Sequence, residues 1–251
     1  MADDRLLQAW EALDLGPLWI RRTAPSADHA TDATATSPPA ADAEVMPGVA
    51  GLAVPSPIPT TEEAWAALRA EVATCRRCGL CESRRNTVFG TGPATARWML
   101  IGEAPGADED ARGEPFVGPA GQLLTQMLAA AGLARDTDVF ITNILKCRPP
   151  GNRNPEPAEA QACEPFLRRQ IELLQPDLIL LLGRFAAQGV LGTDASIAGL
   201  RQRVHHYAGE RRRIPVVCTY HPAYLLRNLP DKRKSWEDLC LAVDVVNQAG
   251  A

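Results

Sequence analysis

Four of the seven cysteines in this 251-residue sequence could together hold a metal centre. Two residues separate Cys75 from Cys78, 68 residues separate Cys78 from Cys147, and another 15 precede Cys163. Four thiolates can form a tetrahedral cage for zinc or bind a [4Fe–4S] cluster, and the spacing alone does not decide between the two. Structural zinc usually takes two tight pairs of ligands, and the second pair here is too wide to be one.

The other three cysteines have simpler interpretations. Cys81 extends the first pair to a CxxCxxC run and is a rival of Cys78 as a ligand, although we expect it to be a spectator. Cys218 lies in a predicted strand and Cys240 on a predicted helix, where each is most simply a small buried hydrophobe. Because a cytoplasmic protein does not rely on disulfides, we expect some of these thiols to bind metal or do chemistry.

The elements that would position these residues are predicted from four short apolar runs. Each run is too short for a typical helix, is rich in β-forming residues and is bounded by turn residues, so each predicts a strand. Helical stretches lie between them, at 121–131, 157–174 and 184–191. This alternation predicts an α/β fold of three layers, α/β/α, around a central four-stranded parallel sheet. The predicted strands are Trp98–Ile101, Val139–Ile141, Leu178–Leu182 and Pro215–Thr219.

The segments that follow the four predicted strands are the informative part of the sequence. Parallel sheets bind ligands in the crevice beyond the carboxyl ends of their strands, which places these segments side by side. Three of the four carry residue types that are suited to chemistry. The segments are Gly102-Glu103-Ala104-Pro105-Gly106, Asn143 with Lys146-Cys147, Gly183-Arg184, and His221-Pro222-Ala223-Tyr224-Leu225.

Five motifs, taken together, resemble those of one known family. They are CxxC at Cys75 and Cys78, GEAPG, PFVGPAGQLL, ITNILKCRPPGNRNP and HPAYLLR. In this order and at these strand ends they resemble the type-4 uracil-DNA glycosylases, the iron–sulfur branch of the uracil-DNA glycosylase superfamily, from Cys75 to about Asp244. The resemblance implies that superfamily's fold and a monofunctional enzyme. Such an enzyme hydrolyses the N-glycosidic bond of flipped-out deoxyuridine in DNA, releases uracil and leaves an abasic site for base excision repair.

The resemblance also implies the cofactor, a [4Fe–4S] cluster on Cys75, Cys78, Cys147 and Cys163. Its expected role is structural, since it would tie the helix before Cys75 to the segment Cys147–Cys163. Because Cys147 lies four residues after Asn143, we expect the cluster to brace the pocket without touching the substrate.

Asn143 is the residue that the resemblance assigns to reading uracil. An Asn after a strand is often only a turn or cap residue. Its amide, however, can donate to uracil O4 while its carbonyl accepts from uracil N3–H, and cytosine would mismatch both hydrogen bonds. Each unpaired buried polar group costs about 1–3 kcal/mol, so this one side chain can separate the two bases.

Phe116 and His221 complete the implied base pocket. Phe116 would by default be a core residue, but it lies in a Gly/Pro-rich loop with few expected packing partners, and the resemblance implies that its ring stacks on uracil. His221 is placed against uracil O2, where a neutral imidazole would stabilise the negative charge that grows as the bond breaks. Glu109, on the Phe116 loop, would exclude the methyl group of thymine, although a solvated acidic residue is nearly as consistent with the sequence.

The remaining implied residues contact the base, water and the base stack. Gly102, Glu103 and Ala104 of the GEAPG loop would contact uracil, because glycine lets the backbone approach closely. Other branches of the superfamily carry an Asp at the position of Ala104, so we expect Glu103 to take part in catalysis and Asn152 to position water. Leu225 matches the wedge that enters the base stack and holds the nucleotide out.

The first 59 residues predict a separate N-terminal region. Residues 1–22 begin with the apolar spacing of an amphipathic helix, and residues 23–59 form an Ala/Pro/Thr-rich flexible linker. A capping box at Thr60-Thr61-Glu62-Glu63 then opens the folded domain, which we expect over 60–248. The helix could bind a protein partner, although a loosely docked surface element is the simpler interpretation.

The charge of the chain is unevenly distributed. The net charge is −4, but residues 1–74 carry 11 acidic and 4 basic side chains, and the rest of the chain is mildly basic. Basic side chains there could meet phosphates, although a solvated charged surface is an equally good interpretation; Arg227, beside the HPAYLL motif, could reach a phosphate. No apolar run approaches a membrane span, and the N-terminus lacks both a basic start and an apolar signal core. We expect a cytoplasmic monomer, and the resemblance implies single- or double-stranded uracil-containing DNA as its partner.

Three alternatives explain the sequence less well. A cross-linking branch of the superfamily uses a His in a KRRIH-type insertion, but no His lies between Lys146 and Cys163. A non-catalytic nucleic-acid-binding or electron-transfer module explains the cysteines but not Asn143, Phe116 and His221 in one crevice. A nucleotide-binding Rossmann enzyme needs GxGxxG after the first strand, and this sequence has none there.

Overall fold

The computed structural model describes residues 61–249. The predicted N-terminal helix at 1–22 and the linker at 23–59 lie outside the described residues, as does Thr60, the first residue of the predicted capping box. Within the described part of the chain, no helix is long and apolar enough to cross a membrane.

Five strands form one sheet, in the order β2-β1-β3-β5-β4. The four strands β2, β1, β3 and β5 are parallel, and β4 pairs antiparallel with β5 at the edge. All four predicted strands are confirmed, each within two residues of its expected bounds. The strands are β1 (Trp98–Gly102), β2 (Val139–Asn143), β3 (Leu178–Leu182), β4 (Val204–Ala208) and β5 (Arg213–Thr219).

The prediction of a four-stranded sheet was one strand short, because β4 was not predicted. Its sequence, VHHYA, carries two histidines and no run of large aliphatic residues, and none of its residues is fully buried. An edge strand with one solvated face alternates between polar and apolar residues instead of reading as a continuous apolar run. β4 forms because its backbone pairs with that of β5. The sequence of β4 alone does not indicate this pairing.

Helices cover both faces of the sheet. The predicted helices at 157–174 and 184–191 are confirmed, and the one predicted from residue 121 begins two residues earlier, at a proline suited to the first helical turn. The helices are α1 (Thr61–Ala73), α2 (Ala107–Arg112), α3 (Pro119–Ala130), α4 (Pro157–Leu174), α5 (Arg184–Leu191), α6 (Ile197–Leu200), α7 (Pro222–Leu225) and α8 (Lys232–Ala249).

The sheet divides the core into two apolar clusters. Met99 and Ile101 of β1 belong to the cluster that includes α1, α4 and α5, whereas Leu100 belongs to the cluster that includes α3 and α8. Because successive side chains of a strand point to opposite faces, this alternation establishes the three-layer α/β/α arrangement. β1, β2 and β3 are buried at every residue, which explains why their sequences are apolar except for Thr142 and Asn143 at the end of β2.

The strand order reverses direction between β1 and β3. The chain leaves β1 toward β2 on one side and later leaves β3 toward β5 on the other. In open α/β sheets this switch point opens a crevice beyond the carboxyl ends of the strands. The segments after β1, β2, β3 and β5 therefore meet at one edge of the sheet, where Gly102 pairs with Asn143 and Gly183 donates to the carbonyl of Thr219.

Candidate active site

A cleft lies at this edge of the sheet, and most of the predicted site residues line it. The walls come from the loop after β1, the end of β2, the turn from β3 into α5 and the segment after β5. Arg227 also lines the cleft. The predicted residues that the structure brings together there are Glu103, Ala104, Glu109, Phe116, Asn143, Asn152 and His221.

The Phe116 ring and the Asn143 amide meet over Gly102. A Cβ atom on Gly102 would lie 2.4 Å from Asn143 Oδ1 and 2.7 Å from Phe116 Cζ. Since real Cβ atoms do not approach other heavy atoms so closely, only glycine permits this arrangement at the end of β1. Gly102 is itself buried and does not line the cleft, so its expected contact with uracil stays a prediction. Its lack of a Cβ atom lets the two predicted base-contacting side chains converge.

Asn143 presents a buried acceptor that has no donor. The residue is 2% exposed, and its Oδ1 makes no hydrogen bond within the described part of the protein. Leaving a buried polar atom unsatisfied costs about 1–3 kcal/mol, and such an atom in a native fold calls for an explanation. An N–H donor on a ligand that enters the cleft would supply the missing partner.

The backbone around Phe116 is clamped in an unusual conformation. Phe116 has a φ of 54°, which costs a non-glycine residue about 1–3 kcal/mol. The Arg135 guanidinium holds it by donating to the carbonyls of Pro115 and Phe116. On the other side, a Cβ on Gly121 would lie 1.7 Å from the Phe116 carbonyl oxygen, so α3 approaches as closely as glycine allows.

The ring of Phe116 is better packed than the sequence predicts. It is 6% exposed and joins the cluster on the α3 side of the sheet. Its centroid lies 5.5 Å from that of the His221 ring, with an interplanar angle of 29°. The expectation of few packing partners was wrong, because the loop folds back onto the sheet. The ring nevertheless also lines the cleft.

Hydrogen bonding fixes the tautomer of His221. Its Nδ1 accepts a hydrogen bond from the backbone N–H of Ala223 at 3.1 Å, at the start of α7. In a neutral imidazole the proton must then sit on Nε2, which becomes a donor. Burial, reinforced by the positive charge of Arg227 and partly offset by Glu109, lowers the pKa of His221 to about 4. The ring is therefore neutral at physiological pH.

The carboxylate of Glu109 is occupied by the loop itself. Oε2 accepts from the Gly106 N–H at 3.0 Å, and Oε1 accepts from the N–H groups of Val117 and Gly118 at 3.0 and 3.1 Å. Glu109 therefore joins α2 to the start of α3 and braces the Phe116 loop between them. Glu109 also lines the cleft while it makes these hydrogen bonds. Its role in excluding thymine remains a prediction.

The two predicted water-positioning residues lie in different environments. Glu103 is partly buried, and burial raises the pKa of its carboxyl group while the positive charge of Arg184 opposes that rise. Asn152 is exposed, has a φ of 56° and accepts a hydrogen bond from Arg148 Nε at 2.6 Å. Both line the cleft, and Glu103 directly follows Gly102 in the chain.

Leu225, the predicted wedge for the base stack, does not face solvent in this structure. It is fully buried and packs in the apolar cluster on the α8 side of the sheet, so it anchors α7, and its predicted insertion into the base stack stays untested. The neighbouring Leu226 is 43% exposed. The motif has two consecutive leucines, and the turn of the short helix decides which of them faces the core.

A second cavity is lined by cysteines and lies on the side of the sheet that α1, α4 and α5 cover. Cys75, Cys78, Cys81, Cys147 and Cys163 all lie on its wall, together with Arg84 and Lys146. Within the described residues, no group of three or more His, Cys, Asp or Glu side chains is arranged to hold a single metal ion. The thiols instead surround a small void.

Three of the cysteine sulfurs accept N–H hydrogen bonds. Arg84 Nη1 donates to Cys147 Sγ at 3.0 Å, and the backbone N–H groups of Lys146 and Arg77 donate to Cys163 and Cys75 at 3.3 and 3.5 Å. Such donors stabilise thiolates, and they commonly surround the sulfurs of iron–sulfur clusters. This donor set fits a cluster of several atoms that fills the void.

Of the other cysteines, Cys81 stays a possible ligand because it lines the same cavity. Cys218 is fully buried in β5, and burial raises the pKa of its thiol to about 12. It is the small buried hydrophobe that the sequence predicts. Cys240 lies on α8, as predicted.

No sequence pattern singles out Arg84, Arg135 or Glu109 as braces of these sites. Arg84 is 63 residues from Cys147, and Arg135 is 19 residues from Phe116, so no local pattern links either pair. Lys146 was noted only as the residue before Cys147. Lys146 is fully buried. The sequence does not predict this, because a lysine ordinarily lies on the protein surface.

Comparison of the sequence with known proteins identifies one family that the chain matches. The family model described as the uracil DNA glycosylase superfamily matches residues 89–241. The type-4 uracil-DNA glycosylase of Archaeoglobus fulgidus is 44% identical over 66% of this chain and 85% of its own length. That of Thermotoga maritima is 41% identical over 76% of this chain and 99% of its own length. A type-5 uracil-DNA glycosylase of Pyrobaculum aerophilum is 32% identical over 61% of this chain.

Proposed function

Because the chain belongs to the type-4 uracil-DNA glycosylases of the uracil-DNA glycosylase superfamily, we propose that it excises uracil from DNA. It hydrolyses the N-glycosidic bond of a flipped-out deoxyuridine, releases free uracil and leaves an abasic site for base excision repair. The observation that carries the proposal is the unpartnered, buried Oδ1 of Asn143 at the floor of the cleft.

Uracil supplies the partners that Asn143 lacks. Its N3–H donates to Oδ1, and its O4 accepts from the side-chain NH₂ group. Cytosine offers a bare N3 and an amino donor at C4, so both contacts fail. The Phe116 ring, held next to Asn143 over Gly102, provides a flat apolar surface for the base.

His221 is the group that helps the bond to break. As the N1–C1′ bond cleaves, its electron pair moves into the uracil ring and negative charge grows on O2. The Nε2–H of neutral His221 donates to that oxygen more strongly in the transition state than in the ground state. A water molecule then adds its oxygen to C1′, and the proton that it gives up ends on the departing uracil anion, which leaves as neutral uracil.

Glu103 and Asn152 are the proposed partners of that water. The carboxylate of Glu103 faces the cleft beside the pocket and favours positive charge on the sugar as the base departs. Asn152 orients water by hydrogen bonding from the opposite loop. Arg184 and Arg227, both on the cleft wall, lie where phosphates of the strand would pass.

We propose that Cys75, Cys78, Cys147 and Cys163 hold a [4Fe–4S] cluster. The cavity they line and the N–H donors to their sulfurs support this assignment. When bound, the cluster would link distant segments of the chain covalently. Cys75 and Cys78 would hold it from the segment after α1, Cys147 from the segment between β2 and α4, and Cys163 from α4 itself, which would brace the loop that follows Asn143.

The proposed activity is tested with a labelled oligonucleotide that contains a single uracil. Purified protein should release free uracil and leave an alkali-labile abasic site from single- or double-stranded substrate. The same oligonucleotide with thymine or cytosine in place of uracil serves as the control. Intact uracil-containing strands after prolonged incubation would contradict the proposal.

The proposed cofactor is tested by metal analysis of anaerobically purified protein. We expect about four irons per chain and a yellow-brown colour, because a cubane cluster contains four irons and absorbs visible light. A Cys163→Ser variant should contain much less iron, whereas Cys218→Ser, which changes a buried thiol away from the cavity, should retain it. A colourless protein with one zinc per chain would overturn the assignment.

A further inference from the structure

Lys146 is a fully buried lysine between the cysteine cavity and the base pocket. It is 1% exposed, and the proposed reaction gives it no part. Its Nζ donates to Thr142 Oγ1 at 2.6 Å, to the Asn143 carbonyl at 2.7 Å and to Gln170 Oε1 at 2.7 Å. The side chain thus reaches back along β2 to the residue that would read uracil.

These partners match an ammonium group. The Thr142 hydroxyl donates its own proton to the Phe89 carbonyl, so it accepts from Lys146. The Gln170 NH₂ group also donates to the Phe89 carbonyl, which leaves its Oε1 as an acceptor for Lys146. Three acceptors therefore meet the three protons of a charged amine, and each proton is satisfied.

Lys146 also lies on the wall of the cysteine cavity. None of the three acceptors that meet its Nζ is a carboxylate, so the oxygens of Thr142, Asn143 and Gln170 hold the amine in place.

The main chain of Lys146 completes the connection. Its backbone N–H donates to Cys163 Sγ at 3.3 Å, and its carbonyl accepts from the Val88 N–H at 2.7 Å. One residue therefore contacts a proposed cluster ligand through its backbone and the Asn143 carbonyl through its side chain.

We propose that Lys146 is a positioning residue that couples the cluster to uracil recognition by holding Asn143 in place. The inference rests on the proposed function. The Lys146 backbone contacts Cys163, and the Lys146 amine fixes the main chain of Asn143 so that the Asn143 side-chain amide faces the base. Loss of the lysine amine should therefore disturb the pocket without removing any group that touches DNA.

The test compares Lys146→Met with wild type and with a control, Leu68→Ala. Leu68 is fully buried on α1 in the same apolar cluster, but it makes no contact with the Lys146 amine or Asn143 through hydrogen bonds. Each protein is measured for iron content, thermal midpoint, dissociation constant for free uracil by calorimetry, and kcat and KM on the uracil oligonucleotide.

We expect Lys146→Met to bind free uracil at least tenfold more weakly and to lose roughly 100-fold in kcat, as for a group misplaced by about 1 Å, with little change in KM. Its iron content should fall as well. Leu68→Ala should lower the thermal midpoint but keep the uracil affinity. Should Lys146→Met fail to fold, Lys146→Gln, which keeps a polar donor but loses the charge, is measured in its place.

The outcomes separate this inference from the proposed function. If wild type releases no uracil, the proposed function fails and the coupling has nothing to act on, so both fall. If wild type is active but neither Lys146 variant weakens uracil binding more than Leu68→Ala does, Lys146 is only a structural residue and the inference is overturned. Weakened uracil binding in the Lys146 variants alone supports it.

Discussion

Replacing His221 with alanine should lower kcat for uracil release by roughly 100- to 1000-fold, the loss typical of removing one donor to a developing oxyanion. Affinity for uracil-containing DNA should change little, because the imidazole interacts with O2 mainly as the bond breaks. Single-turnover rates measure the first effect, and equilibrium binding to an uncleavable analogue of the substrate measures the second. His206→Ala, an exposed histidine on β4, is the matched control and should behave as wild type.

The pH dependence follows from the low pKa of His221. With a pKa of about 4, the ring is neutral above that pH and gains a proton only below it. Protonation would remove the Nδ1 acceptor that binds the Ala223 N–H, so activity that depends on this ring should fall only as the pH drops toward 4. Between pH 5 and pH 8, a plot of the single-turnover rate against pH should therefore show no inflection near pH 6.5 that depends on His221. An inflection at 6.5 that His221→Ala abolishes would contradict the neutral-imidazole assignment.

Replacing Asn143 with aspartate should reduce the rate on uracil and erase most of the preference for uracil over cytosine. An ionised carboxylate accepts from uracil N3–H but repels O4, and it can accept from the amino group of cytosine. Since each mispaired polar contact costs about 1–3 kcal/mol, the ratio of the two kcat/KM values should fall by at least about tenfold. Competition between uracil- and cytosine-containing oligonucleotides measures that ratio.

The control for this substitution makes the same chemical change in the same cleft. Asn154 lines the cleft but is exposed to solvent, so Asn154→Asp adds the same negative charge near DNA without altering a buried contact. It should weaken DNA binding slightly and leave base selectivity intact. Equal loss of selectivity in both variants would mean that charge repulsion, and not base reading, explains the result.

The parts of the fold that the sequence predicts are those with strong local patterns. The strands β1, β2, β3 and β5 lie in the interior, so their residues form apolar runs that are visible without a structure. Because parallel strands bring their carboxyl ends together, Glu103, Asn143 and His221 could be placed in one cleft from their positions after those runs.

The rest depends on contacts between distant residues. The edge strand β4 takes its structure from β5, and the orientation of Leu225 is decided by packing of the short helix α7 against the α8 side of the sheet. Glu109 is a local exception: it accepts hydrogen bonds from backbone amides only three to nine residues away, yet in the sequence it looks like an ordinary charged loop residue. None of these features leaves a periodic signal.

Gly102 sets a limit on how this pocket could be redesigned. Because Gly102 has no side chain, it already leaves Phe116 and Asn143 the most room that any residue could leave them, so no single substitution at that position can widen the pocket for a larger base. Directed evolution toward bulkier lesions would have to act on the walls instead. Of these, the Phe116 loop is clamped by Arg135, Gly121 and Glu109, so a wider pocket would require several coordinated mutations in the clamp.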